Sequence, residues 1–232
     1  MKNRITIEIC AGSLTDALTA SSIAEVDRIE LNSALELGGL TPTIETLKEI
    51  KEHSDKTIVC MVRPRPAGFC YSDVETEQMY REAESLLKAG ADGIVFGFLN
   101  EKNRIDRDKT ERMVNLIHSC QKEAVFHRAF DLTSHPYKAM EDLIAFKVDR
   151  VLTSGQKDTA CEGKDLIKDL QMQYGNQIQI LPGAGVKKDN AADLLSYTGC
   201  TMLHMTAKTV LHENGEYYAV SRENILGVLE TL

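Results

Sequence analysis

Residues 125–131 read VFHRAFD, a short apolar run that ends in an imidazole, a guanidinium and a carboxylate. A strand that is buried on both faces is nearly continuous in hydrophobic residues, so charged groups at its carboxyl end need an explanation. Four other apolar runs end in the same way, at Glu8, at Glu30, at Arg63 with Arg65, and at His204. This repetition predicts parallel strands whose carboxyl ends meet at one site.

Short strand-like runs recur along the whole chain and are separated by segments with helical periodicity. They begin near Ile5, Arg28, Thr57, Gly93, Ala124, Arg150, Ile178 and Met202. These starts are on average about 28 residues apart, which is the length that one strand, one helix and two short loops require. The chain is therefore predicted to be an α/β protein, a single (β/α)₈ TIM barrel over residues 1–232.

The composition is that of a globular protein and excludes some classes of partner. Hydrophobic residues make up 43% of the chain and charged residues 27%, which is enough apolar material for a large core. The net charge of -8 argues against nucleic acid or an anionic membrane as a partner, because both need a basic surface. No segment near the N-terminus resembles a signal peptide or a membrane span, which predicts a cytoplasmic protein.

Local signals predict where individual elements begin and end. Thr41-Pro42 is predicted to start the second helix, with proline in the first helical position. The pattern from Ser72 to Glu75 is a capping box for the third helix, which is predicted to end near Gly90. Between Ala207 and Val220, Asn214-Gly215 predicts a hairpin with a two-residue turn.

Alternation along the strands predicts which side chains point into the barrel. The isoleucines of the first strand share one face, so Glu8 and Cys10 are expected inside, and the same argument places Glu30, Arg63 and His127 there. A buried carboxylate is costly without a partner, so the two glutamates are expected to pair with Arg63, Arg28 or His127.

Two interpretations of this inward cluster stay open. One is a structural network of ion pairs that fills the barrel, and the other is an active site, because active sites in this fold lie at the carboxyl ends of the strands. In the second interpretation His127, with Glu8 or Glu30, serves as acid and base, and Arg63 and Arg65 hold substrate charge. The candidate catalytic residues are Glu8, Glu30, Arg63, His127 and Asp131. As a rim residue, His127 is expected to contribute little to stability.

The loops after strands six to eight predict an anion site. The glycines of residues 181–186 follow strand seven, and backbone N–H groups in this position often bind phosphate, although a tight turn would also favour glycine. Residues 153–155 offer hydroxyl and amide groups to the same ligand, or alternatively form a helix entrance. The candidate ligand-binding residues are Arg65, Arg128, Thr153, Ser154, Gly155, Gly183, Gly185 and His204.

The six cysteines are widely scattered and include no Cys-x-x-Cys pair, which predicts free thiols rather than a zinc site or a disulfide framework. Cys10 is expected to point inward, and Cys70 follows strand three. With Met61 or Met205 they would offer the sulfur ligands that Cu(I) prefers. The alternative for a buried cysteine is a small core residue.

Several strings, in this order along the chain, resemble the CutC family. They are Gly38-Gly39-Leu40-Thr41-Pro42, Met61-Val62-Arg63-Pro64-Arg65, Phe126-His127-Arg128-Ala129-Phe130-Asp131, Arg150-Val151-Leu152-Thr153-Ser154-Gly155 and Pro182-Gly183-Ala184-Gly185. The resemblance runs from about Ile7 to Lys208. It implies a cytosolic TIM barrel that forms homodimers and takes part in copper homeostasis. Members of the family often have a cysteine, proposed to take part in copper binding, where this chain has Asn32.

Two hypotheses about function follow. The resemblance implies a copper-handling protein with Cys10 and Cys70 as candidate metal ligands for Cu(I). The residues themselves favour an enzyme that acts on a small anionic substrate, phosphorylated if the loop of Gly183 and Gly185 binds a phosphate.

Overall fold

The computed structural model describes residues 4–232, and eight parallel strands alternate with helices along this part of the chain. The strands are β1 (Thr6–Ala11), β2 (Arg28–Leu31), β3 (Thr57–Met61), β4 (Gly93–Phe96), β5 (Glu123–Phe126), β6 (Arg150–Thr153), β7 (Gln179–Pro182) and β8 (Met202–Met205). They form one sheet in the order β7-β6-β5-β4-β3-β2-β1-β8, with β7 beside β8, so the ring is nearly closed. The predicted TIM barrel is confirmed.

The helices surround the barrel because the outward side chains of the strands are apolar. They are α1 (Leu14–Ser21), α2 (Ile44–His53), α3 (Asp73–Lys88), α4 (Arg107–Ser119), α5 (Pro136–Ala145), α6 (Lys164–Tyr174), α7 (Ala191–Thr198) and α8 (Arg222–Leu229). The main core lies between the two layers and includes Ile9, Ile29 and Phe96, all fully buried. Inside the ring, smaller apolar clusters around Val95 and Leu181 leave room for polar side chains.

The helix signals in the sequence are confirmed in part. Ser72 and Glu75 form the reciprocal capping box at the start of α3. The predicted start of α2 at Thr41-Pro42 is wrong by two residues, because Thr43 caps the helix and accepts the N–H of Thr46. Thr41 instead uses its hydroxyl to contact the backbone of Arg63, and so ties two loops together.

A hairpin follows the last barrel strand, as predicted. Its strands, β9 (Lys208–His212) and β10 (Glu216–Val220), are antiparallel. Three residues separate the paired His212 and Glu216, so the predicted two-residue turn is one residue too short. The buried carboxylate of Asp16 accepts the N–H of Val220 at 2.7 Å and anchors the hairpin to α1.

Within residues 4–232, no helix combines the length and the apolar character that crossing a membrane requires.

Candidate functional site

Glu8 lies at the centre of a buried ionic network inside the barrel. Its Oε2 accepts a hydrogen bond from Arg28 Nε at 2.9 Å and lies 3.9 Å from Nη1 of Arg150. Both arginines also pair with Glu123, at 2.8 and 2.9 Å. Burial raises the pKa of Glu8, but the hydrogen bond from His204 and the charges of Arg28, His204 and Arg150 outweigh it and lower the pKa to about 2. Glu8 is therefore ionised and fully paired.

The same carboxylate orients His204, because Nδ1 of His204 lies 2.8 Å from Oε1 of Glu8. An ionised carboxylate accepts only, so Nδ1 carries a proton and donates it. Nε2 is then the nitrogen that remains for a ligand. Burial lowers the pKa of His204, but the charge of Glu30 and the hydrogen bond to Glu8 outweigh it and raise the pKa, so a metal ion at Nε2 would displace a proton. A carboxylate that fixes a histidine tautomer in this way is a common second partner of metal-binding histidines.

Cys10, Glu30 and His204 form a compact group of potential metal ligands. All three are buried, and their donor atoms lie within 4.8 Å of one another, the one such group within residues 4–232. Asn32 donates to Oε1 of Glu30 at 2.9 Å and to Sγ of Cys10 at 3.4 Å, so it supports two of the three ligands. Burial raises the pKa of Glu30 and that of Cys10. A bound cation would reverse this, because positive charge favours the ionised forms.

A cavity of about 1200 Å³ opens at the carboxyl ends of the strands, directly over this group. Of the candidate residues, Cys10, Glu30, Arg63, His127, Arg128 and His204 line it. Gly185 also lines it, with a φ of +70°. The prediction that separate strands bring these side chains to one place is thus met for these residues, although their chemical roles remain predictions.

Of the partners expected for the two glutamates, Arg28 pairs with Glu8 as predicted, whereas Arg63 pairs with neither glutamate. Its Nη1 donates to the carbonyl oxygens of Gly38 and Gly39 at 2.8 and 3.2 Å, and its Nη2 donates to that of Ala67 at 2.9 Å. The carbonyls of two loops therefore hold the guanidinium in place. No carboxylate of the described residues neutralises its charge.

His127 is 3% exposed and is not a rim residue. Its ring lies 4.8 Å from that of Phe69 and packs against Gly97, where an added Cβ would come within 2.5 Å of Cε1. The premise that His127 is a weakly packed rim residue is therefore wrong, and we now expect its removal to be costly, because a buried ring would be lost. Burial, and then the charge of Arg63, lower the pKa of His127 to about 3, so the ring is neutral.

Asp131 organises the loop after β6 and does not line the cavity. It accepts hydrogen bonds from the Thr153 hydroxyl at 2.5 Å, from Ser154 N and Oγ at 3.0 and 2.8 Å, and from Arg128 Nε at 2.9 Å. The N–H of Gly155 donates to the Thr153 hydroxyl. The polar groups of Thr153, Ser154 and Gly155, which were predicted to contact a ligand, therefore form hydrogen bonds with Asp131 and with one another instead. Arg128 does line the cavity.

Three other predicted site residues lie apart from the cavity lining. Arg65 pairs with Glu75 at 2.5 Å, and Cys70 is exposed on the loop between β3 and α3. Gly183 packs beneath His204, where an added Cβ would lie 2.7 Å from Leu152 Cδ1 and 3.1 Å from His204 Cδ2. Close packing is thus sufficient reason for this glycine.

Sequence reasoning missed the lower half of the ionic network and the packing partner of His127. Arg150 and Glu123 are the first residues of their strands. A charged residue directly before an apolar run was the sequence signal that could have indicated them. Gly97 follows β4 with no distinguishing pattern of its own.

Comparisons with known proteins agree with the motifs. The sequence model of the CutC family matches residues 5–209. A CutC family protein from Treponema denticola is 46% identical over 207 residues, which cover 89% of this chain and 82% of that protein. The human copper homeostasis protein cutC homolog is 38% identical over 208 residues, 89% of this chain and 75% of that protein. The solved structure of CutC from Streptococcus agalactiae matches with a TM-score of 0.81 at 31% identity, covering 87% and 98% of the two chains.

Proposed function

This chain belongs to the CutC family, and from that premise we propose that it binds a copper ion through Cys10, Glu30 and His204. The observation that carries the proposal is the clustering of a thiol, a carboxyl and an imidazole within 4.8 Å under an open cavity. The orientation of His204 by Glu8 adds to it, because a proton held on Nδ1 makes Nε2 the ligating nitrogen once the ring is neutral.

The donor set suits copper as a cargo. Thiolate ligands favour Cu(I), and imidazole binds copper in either oxidation state, whereas the carboxylate supplies negative charge to balance the ion. Since Cys10 must lose its proton to ligate, binding would release protons. Relatives named for copper homeostasis, such as the human homolog, support this cargo.

An anaerobic competition titration of Cu(I) against a coloured chelator tests the proposal. We expect tight one-to-one binding that is lost in Cys10→Ser. Cys70→Ser is the matched control, because Cys70 is a thiol outside the group and its loss should leave the affinity unchanged. Equal weakening in both variants, or binding no tighter than that of a generic thiol protein, would contradict the site.

A second pair of variants tests the support that Glu8 gives to His204. Glu8→Gln should lower copper affinity by about tenfold or more, as is typical when the partner of a metal-bound histidine is changed. Glu123→Gln is the control, because Glu123 pairs with the same two arginines but does not contact His204. An equal loss in the two variants would mean that Glu8 acts only through general stability.

We propose in addition that the protein is cytoplasmic and forms a homodimer, as its resemblance to the family implies. Light scattering after gel filtration measures the mass in solution, and a mass of one chain would contradict the homodimer. Cell fractionation with an antibody tests the location.

The cavity favours a second candidate function, an enzyme that acts on a small anionic substrate by acid and base chemistry. Its volume of about 1200 Å³ is more than a metal ion needs. Glu30 and His127 line it, and their buried Oε2 and Nε2 atoms have no hydrogen-bond partner among residues 4–232. Incubation of 2-oxo acids and sugar phosphates in D₂O, with NMR detection of deuterium next to the carbonyl, tests for proton transfer. Exchange should require Glu30 and be absent in Glu30→Gln; no exchange with either set of compounds would count against an enzyme.

A further inference from the structure

The turn after β5 determines the hydrogen-bonding role of His127. Nδ1 accepts the N–H of Ala129 at 3.1 Å, so it holds no proton. A neutral imidazole with a bare Nδ1 carries its proton on Nε2. This Nε2 is buried, and it finds no hydrogen-bond partner within residues 4–232. His127 therefore holds an unused N–H donor, and its side chain is among those that line the cavity.

An uncompensated positive charge lies beside this donor. Arg63 is 7% exposed, and within the described residues 4–232 its two terminal nitrogens donate only to carbonyl oxygens. Phe69 joins the two groups, because its ring centroid lies 4.8 Å from that of His127 and 5.1 Å from Cζ of Arg63. Burying a charge is costly unless an opposite charge accompanies it, and Nε of Arg63 is a buried N–H without a hydrogen-bond partner within residues 4–232. An anion bound here would satisfy both groups.

We propose that His127 Nε2–H and the charge of Arg63 bind the carboxylate of a small hydroxycarboxylic acid in this cavity. His127 is then a hydrogen-bond donor to the ligand, not an acid or base that exchanges protons at neutral pH. The inference rests on the second proposed function, whose anionic substrate it assigns to a chemical class.

The number of unused groups favours a carboxylate over a phosphate. The subsite offers one positive charge and two unpartnered N–H groups, Nε2 of His127 and Nε of Arg63, which match the two oxygens of a carboxylate monoanion, whereas a phosphate dianion needs more donors and more charge. The hydroxyl group of the ligand is inferred from Oε2 of Glu30, a second unpartnered buried atom in the same cavity lining. A ligand hydroxyl would give this oxygen a partner.

NMR of the full-length, metal-free protein with ¹⁵N-labelled histidine tests the proposal directly. The unliganded protein should show His127 with its proton on Nε2. Titration with lactate should shift this resonance in a saturable way, propionate should do so more weakly because it lacks the hydroxyl, and phosphate should not saturate it. Sodium chloride at the same ionic strength is the control for charge screening.

Two variants at one position separate the hydrogen bond from the packing of the ring. His127→Phe keeps a ring but removes the donor, and it should weaken lactate binding by about tenfold or more, since the lost hydrogen bond is to a charged group. His127→Gln keeps an N–H near the position of Nε2 and should retain most of the affinity. Thermal unfolding of each variant establishes that it is folded.

Several results would overturn the proposal. A proton on Nδ1 of His127 would remove the donor, and this result is read from the unmodified protein even if a variant fails to fold. Lactate binding that His127→Phe leaves unchanged would place the carboxylate elsewhere, and saturation by phosphate but not lactate would replace the ligand class. A saturable lactate shift without any deuterium exchange would support the subsite while refuting the enzyme, so the two failures are distinguishable.

Discussion

Glu8→Gln is the most informative single change, because it removes one charge from the buried network and leaves the shape of the side chain. Folding lowers the pKa of Glu8 from 4.5 to about 2. Each pKa unit corresponds to about 1.4 kcal/mol, so ionised Glu8 contributes about 3 kcal/mol to the free energy of unfolding. This agrees with the cost of about 3–5 kcal/mol that is typical when one member of a buried ion pair is removed.

The pH dependence follows from the sign of the shift. A carboxyl whose pKa is lowered by folding stabilises the protein fully above its unfolded pKa, and this stabilisation is lost as the pH falls from about 4.5 toward about 2. At about pH 3.5 a substantial part of it, on the order of 1 kcal/mol, should be gone. The difference between the native protein and Glu8→Gln should therefore be smaller at about pH 3.5 than at about pH 5.5.

Urea unfolding followed by circular dichroism, with a common slope, measures these differences. Glu123→Gln is the matched control, since Glu123 contacts the same arginines but its side chain is 20% exposed, and it should cost less. If Glu8→Gln costs less than about 1 kcal/mol, or if its cost does not change with pH, the network is not what stabilises the barrel.

Three further predictions concern stability. Gly97→Ala should destabilise the protein by about 1–3 kcal/mol in urea unfolding, because its Cβ would lie within 2.6 Å of two ring atoms of His127; an unchanged midpoint would show that the ring moves freely. Asp131→Asn should cost about 2 kcal/mol and speed amide exchange at Ser154, whereas unaltered exchange would mean that the loop holds itself. Ser72→Ala should lower stability by about 1 kcal/mol through loss of the cap of α3, and a melting temperature equal to that of the native protein would contradict this.

The fold was predictable because its signals are local and repeated. Strand starts expected at Ile5, Ala124 and Ile178 lie at Thr6, Glu123 and Gln179, a difference of one residue each. The period of two along a strand also placed Glu8, Cys10 and Glu30 inside the barrel, because parity does not depend on the rest of the structure.

The partners of these side chains were less predictable, because they depend on contacts between distant segments. Glu8 meets His204 only because β8 pairs with β1 to close the ring, 196 residues away along the chain. Arg63 binds carbonyls because the backbone at Gly38 and Gly39, both with positive φ, turns its oxygens toward the guanidinium. The tautomer of His127 depends on the short helix over Arg128–Leu132, which the pattern VFHRAFD did not indicate.

The ionic network beneath the cavity has a consequence for how ligands enter and leave the barrel. Glu8, Arg28 and Arg150 are buried and bonded together below Glu30 and His204, so they close the lower end of the ring. A metal ion and an organic acid bound as proposed would then share the opening of the cavity at the carboxyl ends of the strands. If both ligands bind as proposed, an organic acid in the cavity would block the path of the copper ion. The exchange rate of copper should therefore slow as the concentration of the acid rises.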